Sequence, residues 1–288
     1  MKSGIVVLAG RSNVGKSTLL NALVGTKIAI TSPKPQTTRT AIRGILNDPR
    51  GQIVFVDSPG IFESAHDPLT RAVNETARAA LSGVDAICYV VDPTRTIGTE
   101  EHRIHTLLRN STAKKVLVRN KTDLPERERP HLAAYHDLVF GSGDATFIGE
   151  VDVSALEGKH LKLLVDLLFD ALPEGEPLYD THQLGDIPQR FWIAELIREK
   201  VFLTMHQEVP YAVTVDVDEV AMRENGDIFV AARIVTTNDR YRKMLIGAGA
   251  QRVKQIGQMV RKELELATSK RAYIELRVVT DAKWKNRL

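Results

Sequence analysis

The stretch that most constrains this chain is Gly10-Arg11-Ser12-Asn13-Val14-Gly15-Lys16-Ser17. It follows an apolar run at residues 5–9 and leads into residues 18–24, opened by Thr18, which have helical spacing. Strand, glycine-rich turn and helix in that order make G-x-x-x-x-G-K-S a phosphate-binding loop. Backbone N–H groups of a turn that only glycine tolerates converge on phosphate oxygens, and the helix start adds its positive end. In such a loop Lys16 reaches the β- and γ-phosphates, and the Ser17 hydroxyl joins a Mg²⁺ shell. By chance the pattern arises in a chain this long on the order of 1% of the time. The fold class that follows is α/β, a mostly parallel sheet between helices.

Two later stretches are read against this loop. Residues 31–39 hold Pro33 and Pro35 and no apolar period, so they form a loop rather than a helix. Their place before the next strand makes Thr37 and Thr38 candidates to close over Mg²⁺, in a loop that the γ-phosphate orders and hydrolysis releases. The apolar run 53–56 then ends in Asp57-Ser58-Pro59-Gly60. D-x-x-G alone is expected roughly once by chance in such a chain. At the end of a strand downstream of a P-loop, it supplies an aspartate to hold Mg²⁺ through water and a glycine whose N–H approaches the γ-phosphate. Ile61 and Phe62 follow, where small GTPases place a water-orienting glutamine. Neither can position water, so slow intrinsic hydrolysis is expected.

The base is read further on. A helix over 69–81, a strand over 86–91 and a helix over 100–108 precede the strand 115–119, which ends in Asn120-Lys121-Thr122-Asp123. The Asp123 carboxylate can accept from both N1–H and the exocyclic amine of guanine, and adenine offers no such pair. Asn120 can bond base and loop, and the Lys121 stem can lie along the ring. Strand residues 151–153 run into Ser154-Ala155-Leu156, whose backbone can reach the guanine oxygen. His102 and His105 have helical spacing but no third ligand, so a solvated helix face is the expectation for both.

Composition narrows the setting. With 288 residues the chain can bury two cores, and a net charge of +3 requires any nucleic-acid footprint to be local. Cys88 is the only cysteine, so no disulfide can form within the chain, and its apolar neighbours make it core. No apolar stretch has the length of a bilayer span. The expected location is cytoplasmic, with peripheral attachment at the inner face of the membrane as its outer bound, and the expected state is a monomer.

Together these motifs resemble the translation-factor-related GTPases and, within them, the Era family. That family's loop reads G-R-x-N-V-G-K-S, its switch Q-T-T-R and its third motif D-T-P-G. Ser12 here replaces the usual proline and Ser58 the usual threonine. The resemblance implies GTP as substrate and Mg²⁺ as cofactor, with Thr38 the better ligand of the two threonines. Some relatives with asparagine at the place of Asn13 recruit K⁺, which makes Asn13 the candidate K⁺ ligand.

Helical periodicity continues over 161–172 and breaks at Pro173-Glu174-Gly175-Glu176-Pro177. This sets a nucleotide-binding domain at 1–176, a linker at 177–182 and a second domain at 183–288. The second domain reads helix (189–206), strand (211–217), strand (227–235), helix (239–245), helix (251–266) and strand (273–279). That order resembles an α+β type II KH domain, the usual partner domain in the Era family. Its G-x-x-G loop aligns with Gly247-Ala248-Gly249-Ala250, so alanine stands where the second glycine is usual. Between residues 239 and 262 the only acid is Asp239, against Arg240, Arg242, Lys243, Arg252, Lys254, Arg261 and Lys262. One sign of charge around a glycine loop points to a phosphate backbone.

The expected function is therefore a GTP/GDP switch that binds single-stranded RNA. By resemblance that RNA is the 3′ end of 16S ribosomal RNA and the role is small-subunit assembly. The rival is a signalling or membrane-associated GTPase whose basic domain meets protein or lipid. A metabolic phosphotransferase would leave Asn120 to Asp123 without a purpose.

Overall fold

The structure is a computed structural model that describes residues 1–35, 37–60, 68–141 and 143–287. It divides into two compact units, residues 1–186 and 187–288.

In the first unit the strands are β1 (Lys2–Ala9), β2 (Ile42–Asp48), β3 (Gly51–Asp57), β4 (Ala86–Val91), β5 (Lys114–Arg119) and β6 (Phe147–Asp152). They form one sheet in the order β2-β3-β1-β4-β5-β6. Only β2 is antiparallel, to β3, and the other pairs are parallel. Helices α1 (Lys16–Val24), α2 (Pro68–Ala79), α3 (Thr99–Arg109), α4 (Leu132–Phe140) and α5 (Leu161–Ala171) accompany it. β4 is buried at every residue, as a parallel strand between helices must be. The order changes direction between β1 and β4, and the phosphate loop leaves the carboxyl end of β1 beside that point, where open α/β sheets bind ligands.

β2 and α4 escape the sequence patterns. In β2 the apolar run is broken by Gly44, but α1 lies directly on it: a Cβ there would come 2.7 Å from Leu20 Cδ1 and 2.8 Å from Val24 Cγ2. The glycine is needed for packing and hides the strand.

The expected linker at 177–182 is corrected. Gln52, 1% exposed, accepts from the N–H groups of Leu178 (2.8 Å) and Tyr179 (2.9 Å) and donates to the Tyr179 carbonyl (2.9 Å). Asn47 donates to Thr181 O at 2.9 Å, and Ile45 N–H donates to Leu184 O at 2.9 Å. The segment therefore seals the outer edge of β2, and the first unit extends to Asp186. A composition of proline, glycine and acids lacks apolar anchors, but backbone bonding to a sheet edge does not require them.

The second unit follows the expected order: α6 (Gln189–Thr204), β7 (Val213–Met222), β8 (Ile228–Thr236), α7 (Asp239–Ile246), α8 (Gln251–Thr268) and β9 (Ala272–Thr280). Its sheet runs β7-β8-β9, antiparallel then parallel. Ile193, Ile197, Val201, Val230, Ile234, Ile256 and Val260 form its core. Asn238 caps α7 by accepting from Tyr241 N–H at 2.9 Å.

Candidate functional site

The phosphate loop is held by tight backbone approaches. Gly10 has φ 151°, and a Cβ there would lie 2.2 Å from the carbonyl of Val90; Gly15, at φ 97°, would bring one 2.3 Å from Asn120 Nδ2. The buried Lys16 curls under the loop and donates to Gly10 O (3.0 Å) and Arg11 O (2.7 Å). Burial lowers its ammonium pKa to about 8, against the attraction of Asp57 and Glu101. Phosphate oxygens are better partners for this cation than the two carbonyls.

Three oxygen-bearing side chains meet beside it. Ser17 Oγ donates to Asp57 Oδ2 at 2.5 Å and lies 3.0 Å from Thr38 Oγ1, which itself donates to Asp57 Oδ2 at 3.5 Å. Thr37 turns away and donates to Lys34 O at 2.8 Å. Asp57 is fully buried, and its Oδ1 has no hydrogen-bond partner among the described residues. Burial pushes its carboxyl pKa up, against the opposing pull of Lys16, Ser17 and Thr38. A buried carboxylate oxygen left unpaired beside two hydroxyls is a donor set that suits a hard divalent cation.

Gly60 closes on the loop from the other side, where a Cβ would sit 2.6 Å from Ser12 N. Ser58 Oγ donates to Leu8 O at 2.9 Å, so the serine that replaces the usual threonine serves the strand. Asn13, at φ 63°, donates through Nδ2 to Pro33 O at 2.7 Å. The donor end of its amide is thus engaged with the 31–39 loop. Gln36 and residues 61–67, including Ile61 and Phe62, lie outside the described residues.

At the base end, Asn120 joins both halves. Its Nδ2 donates to Val14 O (2.8 Å), and its Oδ1 accepts from Ala155 N–H (3.0 Å). Ser154 Oγ, fully buried, donates to Asp123 Oδ1 at 2.6 Å. Leu156 is 77% exposed and Ala155 is buried, so of this loop Ser154 and Ala155 are tied to the motif. Lys121, at φ 71°, forms an ion pair with Asp92 at the end of β4.

Asp92 belongs to a group that the motifs did not point to. Arg95 donates to Ser12 O at 2.9 Å, and Arg11 donates to Glu100 at 2.9 Å. Glu101, fully buried in α3, accepts from Tyr89 OH (2.5 Å) and Tyr135 OH (3.2 Å) and lies 3.7 Å from Arg11. These residues hold the phosphate loop from behind. An acid in the first turn of a helix reads in sequence as a partner of the helix dipole, so nothing signalled this role. His102 is exposed as expected, but His105 is only 6% exposed and stacks on Phe147 at 6.4 Å. Among the described residues no cluster of histidine, cysteine and carboxylate could hold a metal.

In the second unit a groove of about 470 Å³ lies between α8 and β9, lined by Gly249, Ala250, Val253, Lys254, Gly257, Gln258, Arg261 and Tyr273 among others. Arg240, Lys243, Arg252 and Lys254 are exposed. Arg242 is half-buried instead, donating to Val278 O at 3.2 Å and lying 3.9 Å from Asp239, so it braces α7 against β9. Arg261 belongs to the basic run read from the sequence, whereas Gln258 and Tyr273 do not follow from the glycine-loop pattern, because they reach the groove through helix spacing and an edge strand.

Gly247 has φ 74°, Gly249 φ 54°, and Ala250 φ 61° with ψ 20°. Alanine thus occupies the left-handed region that favours glycine, which costs an L-residue roughly 1–2 kcal/mol. Glycine's larger unfolded-state entropy returns part of this. Ala250→Gly should stabilise the second unit by about 0.5–1 kcal/mol. The chain's two tryptophans, Trp192 and Trp284, both lie in that unit, so the urea midpoint of their fluorescence reads the change.

A phosphate loop, a switch pair and an N-K-x-D motif on this sheet, joined to a β-α-α-β unit with a glycine loop, define a P-loop GTPase carrying a KH domain. Family models agree: that of the 50S ribosome-binding GTPases matches residues 5–121, and that of the KH domain matches residues 208–284. GTPase Era of Trichlorobacter lovleyi is 40% identical over 288 residues, 99% of this chain and 95% of its own. GTPase Era of Geotalea daltonii is 41% identical over 284 residues, 98% of this chain and 93% of its own. A solved Aquifex aeolicus Era variant bound to GDP·AlF4⁻ superposes with a TM-score of 0.92 at 33% identity, covering 100% of this chain and 96% of that one. Era in complex with MgGDPNP and nucleotides 1506–1542 of 16S ribosomal RNA gives 0.93 at 34% identity, with the same coverage. The chain belongs to the Era family of GTPases.

Proposed function

We propose that this GTPase is an RNA-binding switch for assembly of the small ribosomal subunit, and that its RNA is 16S ribosomal RNA near the 3′ end. The related Era complex contains nucleotides 1506–1542 of that RNA. The observation that carries the reading is the groove between α8 and β9, entered at Gly247–Ala250 and bordered by Lys254 and Arg261. It offers cations for the phosphates and an edge strand for the bases. GTP orders the loops around Thr38 and Gly60, and attack of water on the γ-phosphate resets them. A cytoplasmic monomer, at most peripherally attached to the inner membrane face, is the setting. Among the described residues no helix is long and apolar enough to cross a membrane.

Ser17, Thr38 and, through water, Asp57 would hold Mg²⁺, which when bound spreads the charge developing between the β- and γ-phosphates. Asn13 is the K⁺ ligand in this reading: its Nδ2 is bonded to Pro33 O, and its amide carbonyl is the atom that would take the cation. GTP turnover should therefore rise when K⁺ replaces Na⁺, and Asn13→Ala should remove the difference. Equal rates of the wild type in both salts would end the K⁺ assignment.

The RNA reading is tested by titrating single-stranded RNA across salt concentrations. The binding constant should fall steeply with salt, with a slope of roughly 0.7 per phosphate contact on logarithmic axes. Absent or salt-independent binding would return the basic domain to a protein or lipid partner.

A further inference from the structure

The open face of the second unit's sheet carries a cluster of two rings and a guanidinium, of which only Tyr273 lines the groove. Side chains alternate along a strand, so Ala272, Ile274, Leu276 and Val278 of β9 turn to the helices while Tyr273 turns outward. Tyr273 is 58% exposed, a large apolar ring left in water. Its in-register neighbour on β8 is Phe229, on the same outer face. Arg223, in the β7–β8 turn, lies over both rings, with its guanidinium carbon 4.7 Å from the Tyr273 centroid and 4.9 Å from that of Phe229. Arg233 and Arg277, the other arginines of this face, are neutralised by Asp218 and Glu275. Arg223 has no carboxylate partner among the described residues.

Position links this surface to the groove. Gly257 approaches Leu276 (3.7 Å to its built Cβ), and Glu265 accepts from Ala272 N–H at 2.9 Å, so α8 and β9 run antiparallel. The groove therefore runs from the 247–250 loop at one end to Arg261 and Tyr273 at the other. A strand leaving it there passes over the edge of the sheet and meets an aromatic ring already stacked with an uncompensated guanidinium. Unstacked bases are held by that pair of groups.

We propose that Tyr273, Phe229 and Arg223 form a base-stacking platform that receives one unpaired RNA base where the groove ends at Tyr273. The proposal rests on the RNA reading of that groove and extends it from Tyr273, at its end, to Phe229 and Arg223, which do not line it. Stacking uses the π-face that every base has, so the platform contributes affinity without choosing a sequence.

The test uses the full chain and a short fluorescent single-stranded RNA, comparing wild type, Tyr273→Ala, Tyr273→Phe and Lys254→Ala across salt. Tyr273→Ala should weaken binding about tenfold, within the range of one base–aromatic contact. It should leave the salt slope unchanged, because no phosphate contact is lost. Tyr273→Phe should bind as wild type, and Lys254→Ala should lower the slope by roughly 0.7. With 2-aminopurine placed at successive positions of the RNA, wild type and Tyr273→Phe should quench one position that Tyr273→Ala does not. Wild-type affinity in Tyr273→Ala alongside weakened Lys254→Ala overturns the platform and leaves the groove standing. No RNA binding by the wild type removes both. Tyr273 is exposed, so its truncation leaves the core intact.

Discussion

Asp123→Asn should move the preference of this GTPase from GTP to XTP, by a combined change of roughly 10³-fold in relative affinity. Guanine presents two donors, N1–H and the 2-amino group, and a carboxylate accepts both. Asparagine offers one acceptor and one donor, which suits xanthine, where a carbonyl replaces the amine. The surroundings favour a clean exchange. Ser154 Oγ donates to Asp123 Oδ1 at 2.6 Å and itself accepts from Glu157 N–H at 3.1 Å. That chain of donors keeps an oxygen at the Oδ1 position, so the new amide nitrogen faces the base. A site built on buried polar groups rejects a mismatched ligand strongly because its own groups are then left unpaired. Competition binding of GTP and XTP reads the result. Retained GTP selectivity in Asp123→Asn would refute the assignment of the guanine pocket.

The nucleotide site was legible because its motifs are short and contiguous. Gly10 to Ser17, Asp57 to Gly60 and Asn120 to Asp123 each encode a local backbone shape at a strand end, and shape of that kind is written in neighbouring residues. Thr37 and Thr38 could not be separated by residue chemistry, because the choice depends on which hydroxyl faces Asp57; the resemblance to Era favoured Thr38, and the geometry brings Thr38 to Ser17 and Asp57. Asp92, Arg95 and Glu101 act through approaches between distant segments, such as Arg95 to Ser12 across 83 positions, and no pattern in one sequence records these. β2 was hidden by the glycine that lets α1 pack on it. Residues 177–182 were taken for a linker because their anchoring lies in the backbone and in Gln52 rather than in apolar side chains. In the second unit the element order was read correctly and the left-handed backbone of Ala250 was not. Alanine at the place of the second glycine of G-x-x-G has a left-handed backbone, φ 61°, and carries the strain of it.

Asn120→Ala should have a different signature from Asp123→Asn: GTP and GDP both bind about 100-fold more weakly, while the preference over XTP persists. Asn120 is 3% exposed and makes two bonds, to Val14 O at 2.8 Å and from Ala155 N–H at 3.0 Å. One reaches the phosphate loop and the other the loop beside Asp123, so a single amide sets the distance between the phosphate and guanine halves of the site. Gly15 is part of this strut, since any side chain there would meet Asn120 Nδ2 at 2.3 Å. Truncation leaves a buried carbonyl and a buried N–H unpaired, at roughly 1–3 kcal/mol each. Part of that cost falls on the free protein's stability, and the rest is met when the nucleotide must bridge two loops no longer held in register. The base contacts of Asp123 are untouched, which is why selectivity is retained. Calorimetric titration of GDP, GTP and XTP separates the two roles. A selectivity loss at unchanged GDP affinity would mean that Asn120 reads the base rather than joining the loops.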